Sequence, residues 1–127
     1  MQEQLKAFKN GKSTTNVQSL TDFEDKMINV IASISVKASE RDAFIEIFKA
    51  NVPKVLEEEG CVEYSATVDF QTDIPIQETN ANVITVIEKW ESLPHLEAHF
   101  TAPHMLEYKS KVEGMVEDVS LKILEDA

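Results

Sequence analysis

Trp90, His95, His99 and His104 are the only tryptophan and the only histidines of this chain, and the stretch from Glu88 to His104 holds them all. An indole offers a flat apolar face that can grip an aromatic substrate. Imidazoles beside it can move a proton near neutral pH. His95 and His99 are four residues apart, so a helix would carry them on one face. With His104 they would supply three nitrogen ligands, but His95-Leu96-Glu97-Ala98-His99 fits neither common zinc-helix pattern and Pro103 intervenes. No metal site is expected. His95, beside Pro94 at a helix start, reads as a surface residue. His99 shares a face with Leu96 and is better placed to point inward. His104 follows Pro103 at a helix N-terminus, where the local dipole favours neutral imidazole; it can close the helix end or act as a general base.

Glu88 and Trp90 alternate with Ile84 and Val86 along a strand-like run. If that face meets the helices, Glu88 is a carboxylate among apolar groups and needs a partner, either a histidine from the following helix or a backbone N–H. Holding a histidine, it would be the orienting half of an acid–base pair. The plainer alternative is a charge at the sheet edge. Trp90 itself reads equally as core. Asn29 on the first strand, and Tyr64 and Tyr108, the only tyrosines, can each present a hydrogen bond to a bound ring. The chain has three glycines and lacks a phosphate loop, G-x-S-x-G and C-x-x-C, which argues against nucleotide, NAD and iron–sulfur chemistry.

The elements that must position these groups follow from periodicity. Ile28 to Val36 alternates as a half-buried strand. Ser39 offers an N-cap to a helix carrying Phe44, Ile45, Phe48, Val52, Val55 and Leu56, with a kink or break near Asn51 ahead of Pro53 and a stop at Gly60. Cys61 to Phe70 alternates again, 71–81 is a polar loop, and Asn82 to Glu91 is the third strand. Ser92 caps a short helix with Pro94 in its first turn. Pro103 breaks it, a further helix runs from about His104 to Val116, and Val119, Leu121 and Ile123 mark a last strand. The order β-α-β-β-α-β predicts an α+β, ferredoxin-like split βαβ domain with an antiparallel four-stranded sheet and its helices on one face. The other face, read as carrying Ile31, Cys61, Leu124 and small hydroxyl residues, is too apolar for water. A second copy packed sheet to sheet is the simplest cover.

Composition bounds the rest. The 127 residues form one domain, 27–127, behind an N-terminal extension, 1–26, that is flexible or partly helical. The formal charge of −11 resides wholly in 27–127 and disfavours nucleic acid and anionic lipid. No run is long or apolar enough to span a bilayer and no secretory signal is evident, so a cytoplasmic protein is expected. Cys61, the single cysteine, reads as a buried, inert thiol.

From Met27 onward the sequence resembles the antibiotic biosynthesis monooxygenase domain, and within it a quinol monooxygenase branch. The resemblance is carried by Ile28-Asn29-Val30-Ile31-Ala32, Val52-Pro53-Lys54-Val55-Leu56-Glu57-Glu58-Glu59-Gly60-Cys61 with Tyr64, Ile87-Glu88-Lys89-Trp90-Glu91-Ser92, and His95-Leu96-Glu97-Ala98-His99 with Ala102-Pro103-His104-Met105. It implies a dimeric α+β barrel and an oxygenase without cofactor or metal, whose partners are a dihydroxy aromatic, O2 and a second copy. On that model His99 or His104 removes a phenolic proton, Glu88 orients or polarises, Trp90 stacks on the ring and Asn29 holds an oxygen. Tyr64, Tyr108 and Phe100 join Asn29 as substrate-binding candidates. Haem-degrading and isomerase members of the same fold, and a non-catalytic dimeric ligand-binding module, are the alternatives.

Overall fold

The computed structural model describes residues 26–127. The expectation for residues 1–26 lies almost wholly outside them. The elements are β1 (Ile28–Val36), a 3-10 turn (Ala38–Glu40), α1 (Arg41–Leu56), β2 (Cys61–Thr67), β3 (Val83–Trp90), α2 (Leu93–Phe100), α3 (Pro103–Val112) and β4 (Val116–Leu124). The strands form one antiparallel sheet in the order β2-β3-β1-β4, an α+β ferredoxin-like arrangement as the element order predicts.

Alternation in β1 sets the two faces. Ile28, Val30, Ala32, Ile34 and Val36 are buried toward the helices, while the residues between them are half-buried on the other side. Across β3 the inner face continues as Ile84, Val86, Glu88 and Trp90. Phe44, Phe48 and Val55 of α1, Leu96 of α2, and Met105, Tyr108 and Val112 of α3 close over it. The helices leave the β4 edge open: Val119 and Ile123 remain 45% and 40% exposed although they pair with the inner-face residues Ile34 and Val30.

Several sequence expectations need correction. Helix α1 runs without a break through Pro53; Pro53 and Lys49, whose carbonyl loses its amide partner there, are both on the exposed side of the helix. No Ser39 side-chain cap forms; a 3-10 turn leads into α1 instead. Strand β2 stops at Thr67, where its pairing with Thr85 ends, so Val68 and Phe70 are exposed rather than in a sheet. α3 ends at Val112 and β4 begins at Val116, earlier than expected. A register shift between Cys61 and Glu63 sets Cys61 opposite Trp90, so Cys61 is in register with the inner face and not with the outer one.

Candidate active site

Between sheet and helices lies a cavity of about 280 Å³, open toward β4. Its walls are mainly apolar: Ala32, Ile34 and Val86 from the sheet, Phe48 from α1, Phe100 from α2 and Met105 from α3. Six polar side chains line it: Tyr64, Glu88, His99, Tyr108, Lys109 and Glu113.

His99 sits on the last turn of α2, 2% exposed, inside a collar of rings. Centroid distances are 4.8 Å to Trp90, 5.4 Å to Tyr64 and 5.9 Å to Phe100. Its Nδ1 lies 2.9 Å from Glu58 Oε2. A carboxylate at Nδ1 places the ring hydrogen there and leaves Nε2 with its lone pair. Among the described residues no partner takes Nε2, and no buried side-chain nitrogen or oxygen is left both sealed and unpaired. Burial lowers the pKa of His99 below the usual histidine value against the opposing pull of Glu58, so the ring enters the cavity neutral.

Glu58 was not foreseen. It sits in the turn after α1, and that turn is fixed on every side. Glu58 N–H donates to Val55 O, Cys61 N–H to Glu58 O, and Glu91 N–H to Gly60 O. Gly60 has φ +82°, and a Cβ there would come within 2.2 Å of the His95 ring. His95 is in turn tied to Ser92, the α2 cap, with Oγ 2.8 Å from Nδ1. His95 is therefore a half-buried structural group locking α2 onto the turn that carries Glu58, not a free surface residue. Glu58 Oε2 also receives His104 Nε2 at 2.6 Å. In sequence Glu58 lies 41 residues from one histidine and 46 from the other, within the run Glu57-Glu58-Glu59 just ahead of the Gly60 helix stop.

Glu88 does face the helices, but it holds no histidine. Its Oε1 accepts the Trp90 indole N–H at 2.9 Å. Flanked across the sheet by Val30 and Tyr64, its carboxyl is pushed up to about 7 by burial and, further, by Glu58; the indole N–H opposes this. Tyr64 and Tyr108 are also raised, mainly by burial, so both stay protonated donors. The Cys61 thiol is pushed up to about 11, first by burial and then by Glu58 and Glu88, in keeping with an inert thiol.

The predicted site residues thus separate. His99, Glu88, Tyr64, Tyr108 and Phe100 share the cavity. Trp90 is fully buried behind His99, supporting the imidazole and Glu88 rather than lining the hollow, so it cannot stack on a guest there. His104 lines a small recess that shares Tyr108 with the cavity, and it is hydrogen-bonded to Glu58. Asn29 pairs with Lys89 and Leu124 on the opposite face of the sheet, where strand alternation must put it. Among the described residues no cluster of His, Cys, Asp or Glu could hold a metal, and no helix is long and apolar enough to cross a membrane.

Comparison with known proteins agrees with this architecture. Residues 27–111 match the antibiotic biosynthesis monooxygenase family. The protein named "Probable quinol monooxygenase YgiN" from Escherichia coli K12 is 40% identical over 101 residues, covering 78% of this chain and 97% of that one. Among solved structures, PA3566 from Pseudomonas aeruginosa superposes with a TM-score of 0.68 at 22% identity, over 80% of this chain and 95% of that one. A conserved protein from Methanosarcina mazei Go1 gives 0.69 at 21%, over 81% and 95%. The chain belongs to the antibiotic biosynthesis monooxygenase family, in a quinol monooxygenase-like branch.

Proposed function

We propose that this protein is a monooxygenase that oxidises a quinol with O2 in the cavity over β1 and β3, using His99 as the base. The observation that carries the reading is the pairing of His99 Nδ1 with Glu58 while the ring lines an apolar hollow. Family membership and the YgiN relative support the reaction class. A hollow of about 280 Å³ suits one or two fused rings rather than a macrocycle, which favours a quinol over haem.

The reaction balances without a cofactor. His99 Nε2 takes a phenolic proton, and the resulting quinolate is electron-rich enough to reduce O2 directly. One oxygen atom forms a bond to a ring carbon in place of hydrogen. The O–O bond breaks and the second oxygen leaves as water. A hydroquinone thereby becomes a hydroxyquinone, and its four electrons reduce O2 completely. Tyr64 and Tyr108 supply donors to the guest's oxygens. Glu88, protonated in part near neutrality, supplies a proton to the departing oxygen. A second copy of the chain on the outer sheet face, where Ile87 and Leu124 are 37% and 42% exposed, completes the reading.

The test is oxygen uptake with a panel of chemically reduced naphthoquinones, with isotopically heavy O2 to follow the transferred atom. Wild type accelerates uptake, one heavy atom enters the product, and chelator has no effect. His99→Ala lowers turnover by about 10² to 10⁴. No acceleration across the panel, with fluorescence quenching on mixing, would instead mean a binding protein without turnover. Sedimentation of wild type and Ile87→Lys tests the second copy: a monomeric wild type removes that part.

A further inference from the structure

The contact between Glu58 and His104 lies outside the cavity, and no step above uses it. His104 lines a recess of about 60 Å³ with Asn51, Lys54, Glu107 and Lys111. Its Nε2 and the Nδ1 of His99 converge on one carboxylate oxygen, at 2.6 and 2.9 Å. Side-chain exposure rises along the chain of groups, from 3% at His99 through 12% at Glu58 to 20% at His104. One end is in the cavity and the other meets water.

We propose that Glu58 and His104 are positioning residues for His99: Glu58 fixes the Nδ1–H tautomer, and His104, at the solvent end, sets how much negative charge Glu58 presents to it. This rests on the reading of His99 as the base. Both nitrogens donate to the same oxygen, so His104 carries its lone pair on Nδ1. A proton arriving from water adds at that Nδ1. The Nε2–H···Oε2 contact stays in place but becomes an ion pair, with a stronger hydrogen bond. The carboxylate charge is then drawn toward the imidazolium, and His99 becomes a weaker base with no substrate contact altered. Groups this close titrate as one unit, with steps that belong to the cluster.

Other charged or titratable groups surround the pair. Glu88 from β3, Tyr64 and Cys61 from β2, and Tyr108 and Lys109 from α3 lie around His99 and Glu58. Lys54 from α1 and Glu107 and Lys111 from α3 lie around His104. Of the cavity carboxyls, Glu88 titrates near neutrality and must be controlled for.

The experiment is a pH titration of the histidine ring nitrogens by NMR on the full chain, without substrate. In wild type and in Glu88→Gln, His99 signals move in two steps. His104→Gln keeps an N–H for Glu58 but cannot take a proton, and there a single step remains. In turnover, Glu58→Gln lowers kcat by about ten- to a hundredfold with KM little changed. His104→Gln simplifies the acid limb of kcat/KM from two ionisations to one. Should Glu58→Gln fail to fold, His104→Gln decides alone. A single His99 step in wild type, matching that in His104→Gln, overturns the proposal even if quinol is oxidised. A protein that oxidises no quinol removes the base assignment but leaves a two-step titration standing.

Discussion

Glu88→Gln should stabilise the protein in mild alkali and leave it nearly unchanged in acid. Glu88 is 6% exposed, and its carboxyl is pushed up from 4.5 to about 7 in the fold. Raising a carboxyl by that much corresponds to about 3 kcal/mol. Between these values the folded state binds more protons than the unfolded chain, so stability falls as pH rises from about 4.5 through about 7. Above that window the whole amount is lost, because folding must then either bury a charge or take up a proton. Glutamine keeps an oxygen to accept from Trp90 Nε1 and never ionises. The gain over wild type should therefore grow from near zero at pH below 4.5 to about 3 kcal/mol above pH 7, roughly 10 °C in Tm for a domain of this size.

His99 works in the opposite direction. Its folded pKa is lowered, so the unfolded chain binds the extra proton and stability rises with pH through that window. The wild-type profile alone therefore mixes two slopes. The difference between wild type and Glu88→Gln, measured by thermal or urea unfolding at matched pH, isolates the carboxyl. A gain independent of pH would refute the burial argument, since steric or packing effects of the amide carry no titration. A loss of stability that appears above about pH 4.5 and vanishes in acid would show instead that Glu88 is stabilised in its charged form.

Three further outcomes follow from the same geometry. Gly60→Ala should cost more than about 2 kcal/mol by thermal unfolding, from left-handed strain and the clash with His95, and turnover should fall with it because Glu58 rides on that turn. Trp90→Phe should cost about 1–3 kcal/mol and move the Glu88 titration to still higher pH, because the indole N–H is the contact that opposes burial there. Asn29→Ala should leave kcat/KM within about twofold, since exposed or half-buried positions away from a site change little; a large loss would mean that the outer sheet face belongs to the site.

Much of the fold is legible because its elements are periodic. β1 and β3 alternate cleanly, Pro94 and Pro103 mark helix starts, and Gly60 marks a left-handed turn. Where alternation outlasts a partner strand it misleads: Val68 and Phe70 continue the β2 pattern, but β3 begins at Val83 and pairs only as far as Thr67. A proline inside a helix is better tolerated where the carbonyl it orphans lies on the exposed side, as at Lys49, and sequence alone does not reveal that side. Asn29 is a different case, because the parity of β1 already sets it opposite Ile28 and Val30. Phe100, His99 and Glu88 are recovered by local pattern. Glu58 is not, because the two histidines that give it meaning join it only through tertiary packing.

The placement of the two glutamates explains why the orienting carboxylate sits outside the hollow. On the proposed quinol chemistry, deprotonation would create an anion in an apolar space, and a second anion beside it would oppose that step by several kcal/mol at low dielectric. Glu88, which faces the cavity, escapes the conflict because burial favours its protonated form toward neutral pH. Glu58 lies on the far side of the imidazole, 2.9 Å from Nδ1. There its charge meets the developing imidazolium first and the quinolate only through the ring. Before reaction burial also favours neutral His99, so an uncharged guest meets a neutral base. The first ion pair forms only with proton transfer, and the carboxylate that stabilises its cationic half is already hydrogen-bonded in place. Exchanging the roles, with Glu88 holding His99 from inside the cavity, would set a carboxylate against the quinolate, a cost that the Glu58 arrangement avoids.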